Sequence, residues 1–241
     1  MAKQRPSARR GDDRRRSWLE RVRPLIASQV GDPSLVERRY GELIAAAARL
    51  FQEKGFDRTT IDDIAGRLNI SVGAIYRYVE RKEDILLLTL ARTLWRFQKL
   101  GPPPPDGDPA QRLRELIRRY YRVIAADAPS TLLAYRESYV LRGEARQLTK
   151  DMELETNRAF EAVLRDGIAR GAFRRCRVEV VTYDIVMLGH MWALKRWYLG
   201  RLVDLDAYIA EQTDFILSAL SRRRGSGERR DRSLPRIPRR V

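Results

Sequence analysis

Between Thr59 and Lys82 the chain reads TTIDDIAGRLNISVGAIYRYVERK, two short helical patterns joined by one turn residue, and no other stretch limits the fold so tightly. Ile61, Ile64, Ala65 and Leu68 recur at the three- and four-residue steps that stack side chains on one face, which predicts a helix over 62–68. Thr59 and Thr60 each have an acidic residue three positions on, Asp62 and Asp63, so either can open a capping box. Asn69 suits a sharp reversal because it tolerates the left-handed backbone. Ser71 is then a second N-cap, for a helix running to about Val79. The product is helix, tight turn, helix.

The second helix surrounds only three inward anchors, Val72, Ile75 and Val79, with Ser71, Gly73, Ala74, Tyr76, Arg77 and Tyr78. Small residues at its start let a partner come close to the backbone, and Tyr and Arg reach past it. That surface suits a helix lying in a DNA major groove, its N-terminal residues at base edges and flanking ones on phosphates. An ordinary helical hairpin with a solvated Arg and Tyr carries the same local pattern.

The pattern extends upstream through RRYGELIAAAARLFQEKGF (38–56) and downstream through KEDILLLTL (82–90). With Leu50-Phe51, Gly55-Phe56, Thr59-Thr60-Ile61, Ile64-Ala65, Ile70-Ser71, Gly73, Ile75-Tyr76 and Lys82-Glu83, this segment resembles the N-terminal domain of the tetracycline-repressor (TetR) family of transcriptional regulators. Asn69 stands where that family usually has Gly and Val79 where it usually has Phe. Both keep the physical role, a left-handed turn and a buried plug. The resemblance implies an all-α protein, a helix-turn-helix DNA-binding domain followed by a helical ligand-binding and dimerisation domain. The candidate DNA-contacting residues are Thr60, Ser71, Val72, Gly73, Ala74, Tyr76, Arg77, Tyr78 and Lys82, the last placing an ammonium and free amides beside a phosphate at a helix N-terminus.

Four segments are expected: a basic, mostly disordered extension over 1–32, the DNA-binding domain over 33–82, a helical ligand and dimerisation domain over 83–222, and a basic disordered tail over 223–241. Residues 1–16 lack apolar content. Trp18, Leu19, Val22, Leu25 and Ile26 have helical spacing, but Pro24 limits 17–30 to two short turns, an addition to the usual family pattern. Asp32-Pro33 caps a helix to about Lys54 that Gly55 ends. A further helix is expected over 84–101. Four consecutive prolines (102–105) then force an extended loop, and Asp108-Pro109 restarts the chain. Helices over 109–126, 129–142, 144–170, 178–200 and 205–222 fill the rest. Residues 175–183 alternate as a strand would, yet no partner strand is visible.

Charge separates the ends from the middle. The net charge is +16, with 11 Lys/Arg against 5 Asp/Glu in residues 1–40 and 9 against 2 in residues 222–241, so the 181 residues between carry only +3. Arg-rich ends neutralise phosphates without reading sequence; solubilising tails are the bland alternative. No apolar run approaches 18 residues and no apolar core follows the basic N-terminus, so neither a membrane span nor a secretory signal is expected and the chain should be cytoplasmic. One Cys (Cys176) and one His (His190) leave no internal disulfide and no all-protein zinc site. Nucleotide-, zinc-protease- and hydrolase-type motifs are lacking, so no catalytic residue, cofactor or metal is assigned and an enzyme is not expected. His190 is assigned to core or interface, and Glu153, Glu155 and Glu161 to a solvated face.

Helix 178–200 is apolar nearly all round, which makes it central, with one face for a partner subunit and one for a cavity. Tyr121, Tyr135, Arg136, Tyr139, Phe160 and Trp192 are the candidate ligand residues, with Tyr120 beside them. The last two helices, through Tyr208, Phe215, Ala219, Ile209, Ile216 and Leu220, should make a four-helix homodimer interface. Recognition helices would then stand ~34–36 Å apart on an inverted-repeat operator in double-stranded DNA. A ligand-responsive regulator, a repressor as the resemblance implies, is the leading reading; a nonspecific architectural DNA-binding protein is the alternative. The stretch 132–141 and the charged helix after it resemble the ligand domain of TetR-family regulators of fatty-acid and sterol breakdown. That makes an acyl-coenzyme A thioester the expected small-molecule effector, its phosphates meeting Lys195, Arg196 and Arg201. A lipophilic cation is the competing class, and acidic residues in the pocket would favour it.

Overall fold

The computed structural model describes residues 18–221, and these form ten α-helices with no strand among them. The calls on 1–16 and 223–241 lie outside the described residues. Helix α1 (Trp18–Val22) and a 3-10 turn (Arg23–Leu25) precede α2 (Pro33–Lys54), α3 (Ile61–Leu68), α4 (Val72–Tyr76) and α5 (Lys82–Gln98). After the proline loop come α6 (Pro109–Ala126), α7 (Ala128–Glu137), α8 (Gly143–Ala169), α9 (Val178–Leu199) and α10 (Leu205–Leu220). Of the alternating segment 175–183, residues 178–183 become the start of α9, since an isolated strand has nowhere to place its backbone hydrogen bonds.

Local chemistry sets most of the boundaries. Asp32 accepts from the amide of Ser34 at 2.9 Å with Pro33 in the first turn of α2, and Asp108 does the same for Gln111 at 3.1 Å ahead of Pro109. Gly55 ends α2 at φ 85°, a backbone that a Cβ would strain. Of the two candidate caps for α3, Thr60 is the one used: its hydroxyl accepts from the Asp63 amide at 3.1 Å, and the Asp63 carboxylate accepts from the Thr60 amide at 2.9 Å. Thr59 is buried and donates to the Gly55 carbonyl instead.

Two hydrophobic cores meet along α5. The first gathers Tyr40, Leu43, Ile44, Leu50 and Phe51 of α2 with Ile64, Ile75, Val79 and Ile85–Leu88; the second gathers Leu113, Ile117, Tyr121, Phe160, Val163, Ile185 and Ile216 around Phe97. Helix α1 and the 3-10 turn are the two short turns expected within 17–30. Trp18, Leu19, Val22, Ile26 and Val30 are all buried in the first core, which offsets the entropy of ordering them.

Candidate functional site

The α3–α4 unit presents its predicted surface with two exceptions. Asn69 takes the left-handed conformation (φ 53°, ψ 47°) and turns the chain, and Ser71 caps α4 by accepting from the Ala74 amide at 3.2 Å. Thr60, Ser71, Gly73, Tyr76 and Arg77 are exposed, Val72 and Ala74 half-buried, and Ile75 fully buried beneath them. A Cβ on Gly73 would meet nothing within 4 Å, so no internal packing demands the glycine. The open space lies on the outer face.

Tyr78 and Lys82 are the exceptions. The second helix stops at Tyr76 rather than Val79 because the chain must turn inward there: Tyr78 is 6% exposed, Val79 is fully buried, and the Tyr40 hydroxyl donates to the Tyr78 carbonyl at 3.1 Å. Tyr78 therefore offers no side chain to a groove, although Arg39 lies over its ring at 5.8 Å. Lys82 is not a free cation. Its ammonium donates to the carbonyls of Phe56 (2.6 Å), Asp57 (3.1 Å) and Thr59 (2.8 Å) and lies 4.3 Å from the Phe56 ring centroid. An ammonium has three hydrogens, and all three are committed. Asp84 meanwhile takes the amides of Glu80 (3.0 Å) and Arg81 (3.1 Å). The start of α5 is an internal clamp on the loop between α2 and α3.

A cavity of about 350 Å³ opens where the two cores meet. Helix α5 gives it an apolar wall, Leu90, Leu94 and Phe97; α7 contributes Thr131, Ala134 and Tyr135, the turn after it Ser138 and Tyr139, α8 a polar stripe from Arg146 to Asn157, and α9 Val186 and His190. His190 is the hub. Its Nε2 meets the Tyr120 hydroxyl at 3.0 Å, and its Nδ1 meets the Tyr135 hydroxyl at 2.8 Å. Burial pushes the imidazole down to about 4 and raises Tyr120, so the chain of rings is uncharged near neutrality and can present either a donor or an acceptor.

The cavity brings together only part of the predicted ligand set. Tyr135 and Tyr139 line it, and so does Tyr120. Tyr121, Phe160 and Trp192 are core: the Tyr121 hydroxyl donates to the Ile185 carbonyl at 2.8 Å, Phe160 meets Tyr120 edge-on at 5.3 Å, and Trp192 packs on Tyr208 at 5.0 Å. Arg136 is exposed and outside the lining. Tyr121 points away from the wall that Tyr120 lines and toward α9, where the Ile185 carbonyl holds its hydroxyl. Sequence reasoning placed His190 in the core or an interface and missed Arg146, Thr149, Lys150, Glu153, Thr156 and Asn157. Their spacing of three and four was readable, but a stripe so polar looks solvated. The expected cations Lys195, Arg196 and Arg201 do not reach this cavity. Arg146 and Lys150 take that place, exposed and without an ion-pair partner among the described residues. Glu153 puts one acidic group on the wall, and Tyr183 donates to it at 3.3 Å.

A second groove, between α9 and α10, is lined by Met187, Leu188, Met191, Leu194, Phe215 and Ile216. Of the expected dimer face, Tyr208, Ile209, Ile216 and Leu220 are buried within the protomer, whereas Phe215 is 65% exposed and Ala219 is exposed. The outward apolar surface is instead completed by Met187 and Met191.

Residues 43–88 match the family described as bacterial regulatory proteins, tetR family, and residues 106–218 match the tetracyclin repressor-like C-terminal domain. The transcriptional regulator HbdR of Aromatoleum sp. (strain CIB) is 39% identical over 188 residues, covering 77% of this chain and 82% of HbdR. A tetR-family regulatory protein from Rhodococcus RHA1 has the same fold, with a TM-score of 0.70 at 23% identity over 76% of this chain and 96% of that one. AibR, solved in complex with isovaleryl coenzyme A and operator DNA, has a TM-score of 0.64 at 18% identity over 73% and 97%.

Proposed function

The chain belongs to the TetR family of bacterial transcriptional regulators, and from that premise we propose that it is a dimeric repressor released from an inverted-repeat operator by a short-chain acyl-coenzyme A thioester. The observation that carries this reading is the position of the cavity. Leu90, Thr93, Leu94 and Phe97 line it from α5, the helix whose first residue clamps the loop that leads into α3. A ligand that moves that wall moves the base of the DNA-binding unit. Thr60, Ser71, Val72, Gly73, Ala74, Tyr76 and Arg77 make the DNA contacts, and the Met187, Met191 and Phe215 surface meets its copy across the two-fold axis.

The effector class follows from size and charge. The cavity is about 350 Å³ with an apolar wall on α5, which takes an acyl chain and leaves the bulkier coenzyme A outside. Arg146 and Lys150 stand where the phosphates of a coenzyme A would leave the cavity. AibR, the fold neighbour that was solved with a short-chain thioester and operator DNA, supports the same class. Glu153 favours a second reading, a lipophilic cation, but it is one acid against two cations and already accepts from Tyr183.

Thermal-shift titration separates the two. A ligand at 100 times its dissociation constant adds about 2.7 kcal/mol of stability. Stabilisation by butyryl- to octanoyl-coenzyme A, with release of DNA selected from genomic fragments, is expected. Stabilisation by lipophilic cations alone reverses the assignment, and equal affinity for all duplexes replaces the repressor with a nonspecific architectural protein.

A further inference from the structure

Residues 18–31 join two places that are otherwise far apart in the chain: the end of the helix-turn-helix and the turn of α8 that backs the cavity. At one end Trp18, Leu19 and Val22 are buried in the first core. From the same turn Arg21 reaches α8, where its two terminal nitrogens meet the Glu155 carboxylate at 2.7 and 3.3 Å. The pair is almost sealed, with side chains 5% and 14% exposed. Gln98 at the end of α5 donates to the same carboxylate at 3.1 Å and to the Met152 carbonyl at 2.9 Å. At the other end the Gln29 amide donates to the carbonyl of Arg77 at 2.9 Å, and the Ser28 hydroxyl adds a longer bond at 3.4 Å to the same oxygen. Arg77 is the C-cap of α4.

The two ends are joined by a short, well-packed segment. Ile26 and Val30 are 3% and 8% exposed, and the 3-10 turn over Arg23–Leu25 leaves little slack between Arg21 and Gln29. On α8, Glu155 lies between Glu153 and Thr156, both of which line the cavity. One turn of one helix therefore faces the cavity on one side and Arg21 on the other.

We propose that residues 18–31 form a strap that transmits the state of the cavity wall on α8 to the C-terminal end of the recognition helix, with Arg21 as its positioning residue. This rests on the reading of α4 as the recognition helix and adds a route beside α5. A nearly buried bidentate pair is rigid and costly to break, so a displacement of α8 is passed to the strap rather than absorbed. A carbonyl at a helix C-cap, once bonded to the strap amide, moves with it. Coupling between sites is reciprocal, so DNA bound at α4 must also alter α8.

That reciprocity gives a test without a known effector. Hydrogen exchange is measured on the full-length protein with and without DNA that the wild-type protein selects from genomic fragments. Binding is expected to slow exchange at least about threefold both in 18–31 and in the α8 turn around Glu155, which DNA does not touch. In Arg21→Met, which keeps an apolar stem, and in Glu155→Gln, which keeps the volume, the change in 18–31 should remain and the change in α8 should fall by at least half, the remainder passing through α5. A purely structural role would lower the melting temperature and leave the α8 response intact. An α8 response absent from wild type, or unchanged in both variants, overturns the strap. A second arm uses octanoyl-coenzyme A: release of DNA by tenfold or more in wild type should fall below about threefold in Arg21→Met. Absence of any thioester effect in wild type, with the exchange coupling intact, overturns the effector assignment and leaves the strap standing.

Discussion

Replacing Lys82 with Met distinguishes a clamp from a phosphate contact. The ammonium donates to three carbonyls in the loop between α2 and α3, at 2.6, 2.8 and 3.1 Å, and lies 4.3 Å from the Phe56 ring. Hydrogen bonds to a charged group contribute about 1.5–3 kcal/mol each when isolated, and three that share one cation do not add. The Asp57 carbonyl is exposed, so water can replace that bond, while the Phe56 and Thr59 carbonyls are less accessible. A total loss of about 2–4 kcal/mol results. For a chain of this size 1 kcal/mol shifts the melting temperature by about 2–4 °C, so Lys82→Met should melt roughly 5–15 °C lower. Operator affinity should fall with it, because Thr60 leaves that loop to cap α3. The slope of log affinity against log salt should not move, since no phosphate contact is lost. Calorimetry and gel-shift titrations at four salt concentrations read both quantities. A variant with wild-type melting and a slope smaller by about 0.9 would show that Lys82 neutralises a phosphate and refute the clamp.

Two further outcomes follow from the C-terminal domain. His190 titrates at about 4 in the folded chain against about 6.5 unfolded, so the unfolded chain binds the proton first and stability is lost as pH falls from 6.5 towards 4. The loss reaches about 3 kcal/mol at its limit, less whatever solvent in the cavity screens; in His190→Phe that part of the pH dependence should disappear, as denaturant midpoints at pH 7.5 and 4.5 will show, and equal pH profiles would contradict it. A Cβ on Gly189 would come within 2.7 Å of the Tyr121 ring, which is fixed by its bond to Ile185, so Gly189→Ala should cost about 1–3 kcal/mol where α6 crosses α9, and unchanged melting would show that the crossing can relax.

Short-range chemistry in the sequence determined the helices. Asp32-Pro33, Asp108-Pro109, Asn69 and Ser71 act on backbone groups within four residues of themselves, so the starts of α2 and α6 and the turn between α3 and α4 were legible from spacing alone. Where two neighbours carried the same local signal, as Thr59 and Thr60 did, only packing chose, by burying Thr59 against the Gly55 carbonyl. The exposed surface around α4 was legible through Arg77, and the reading departed from the structure at Tyr78, where a long-range bond from Tyr40 turns the chain inward.

The cavity and the strap belonged to the tertiary structure. Lys82, Arg21 and Glu155 are charged residues that sequence places in water by default, and each is held by partners 23 to 134 positions away. The sequence assigns His190 to core or interface, yet its two hydroxyl partners lie 70 and 55 residues upstream and hold it in a cavity wall. A residue's helical neighbours fix which way it points, and the sequence contains them. What it points at is supplied by another helix, and that meeting exists only once the chain has folded.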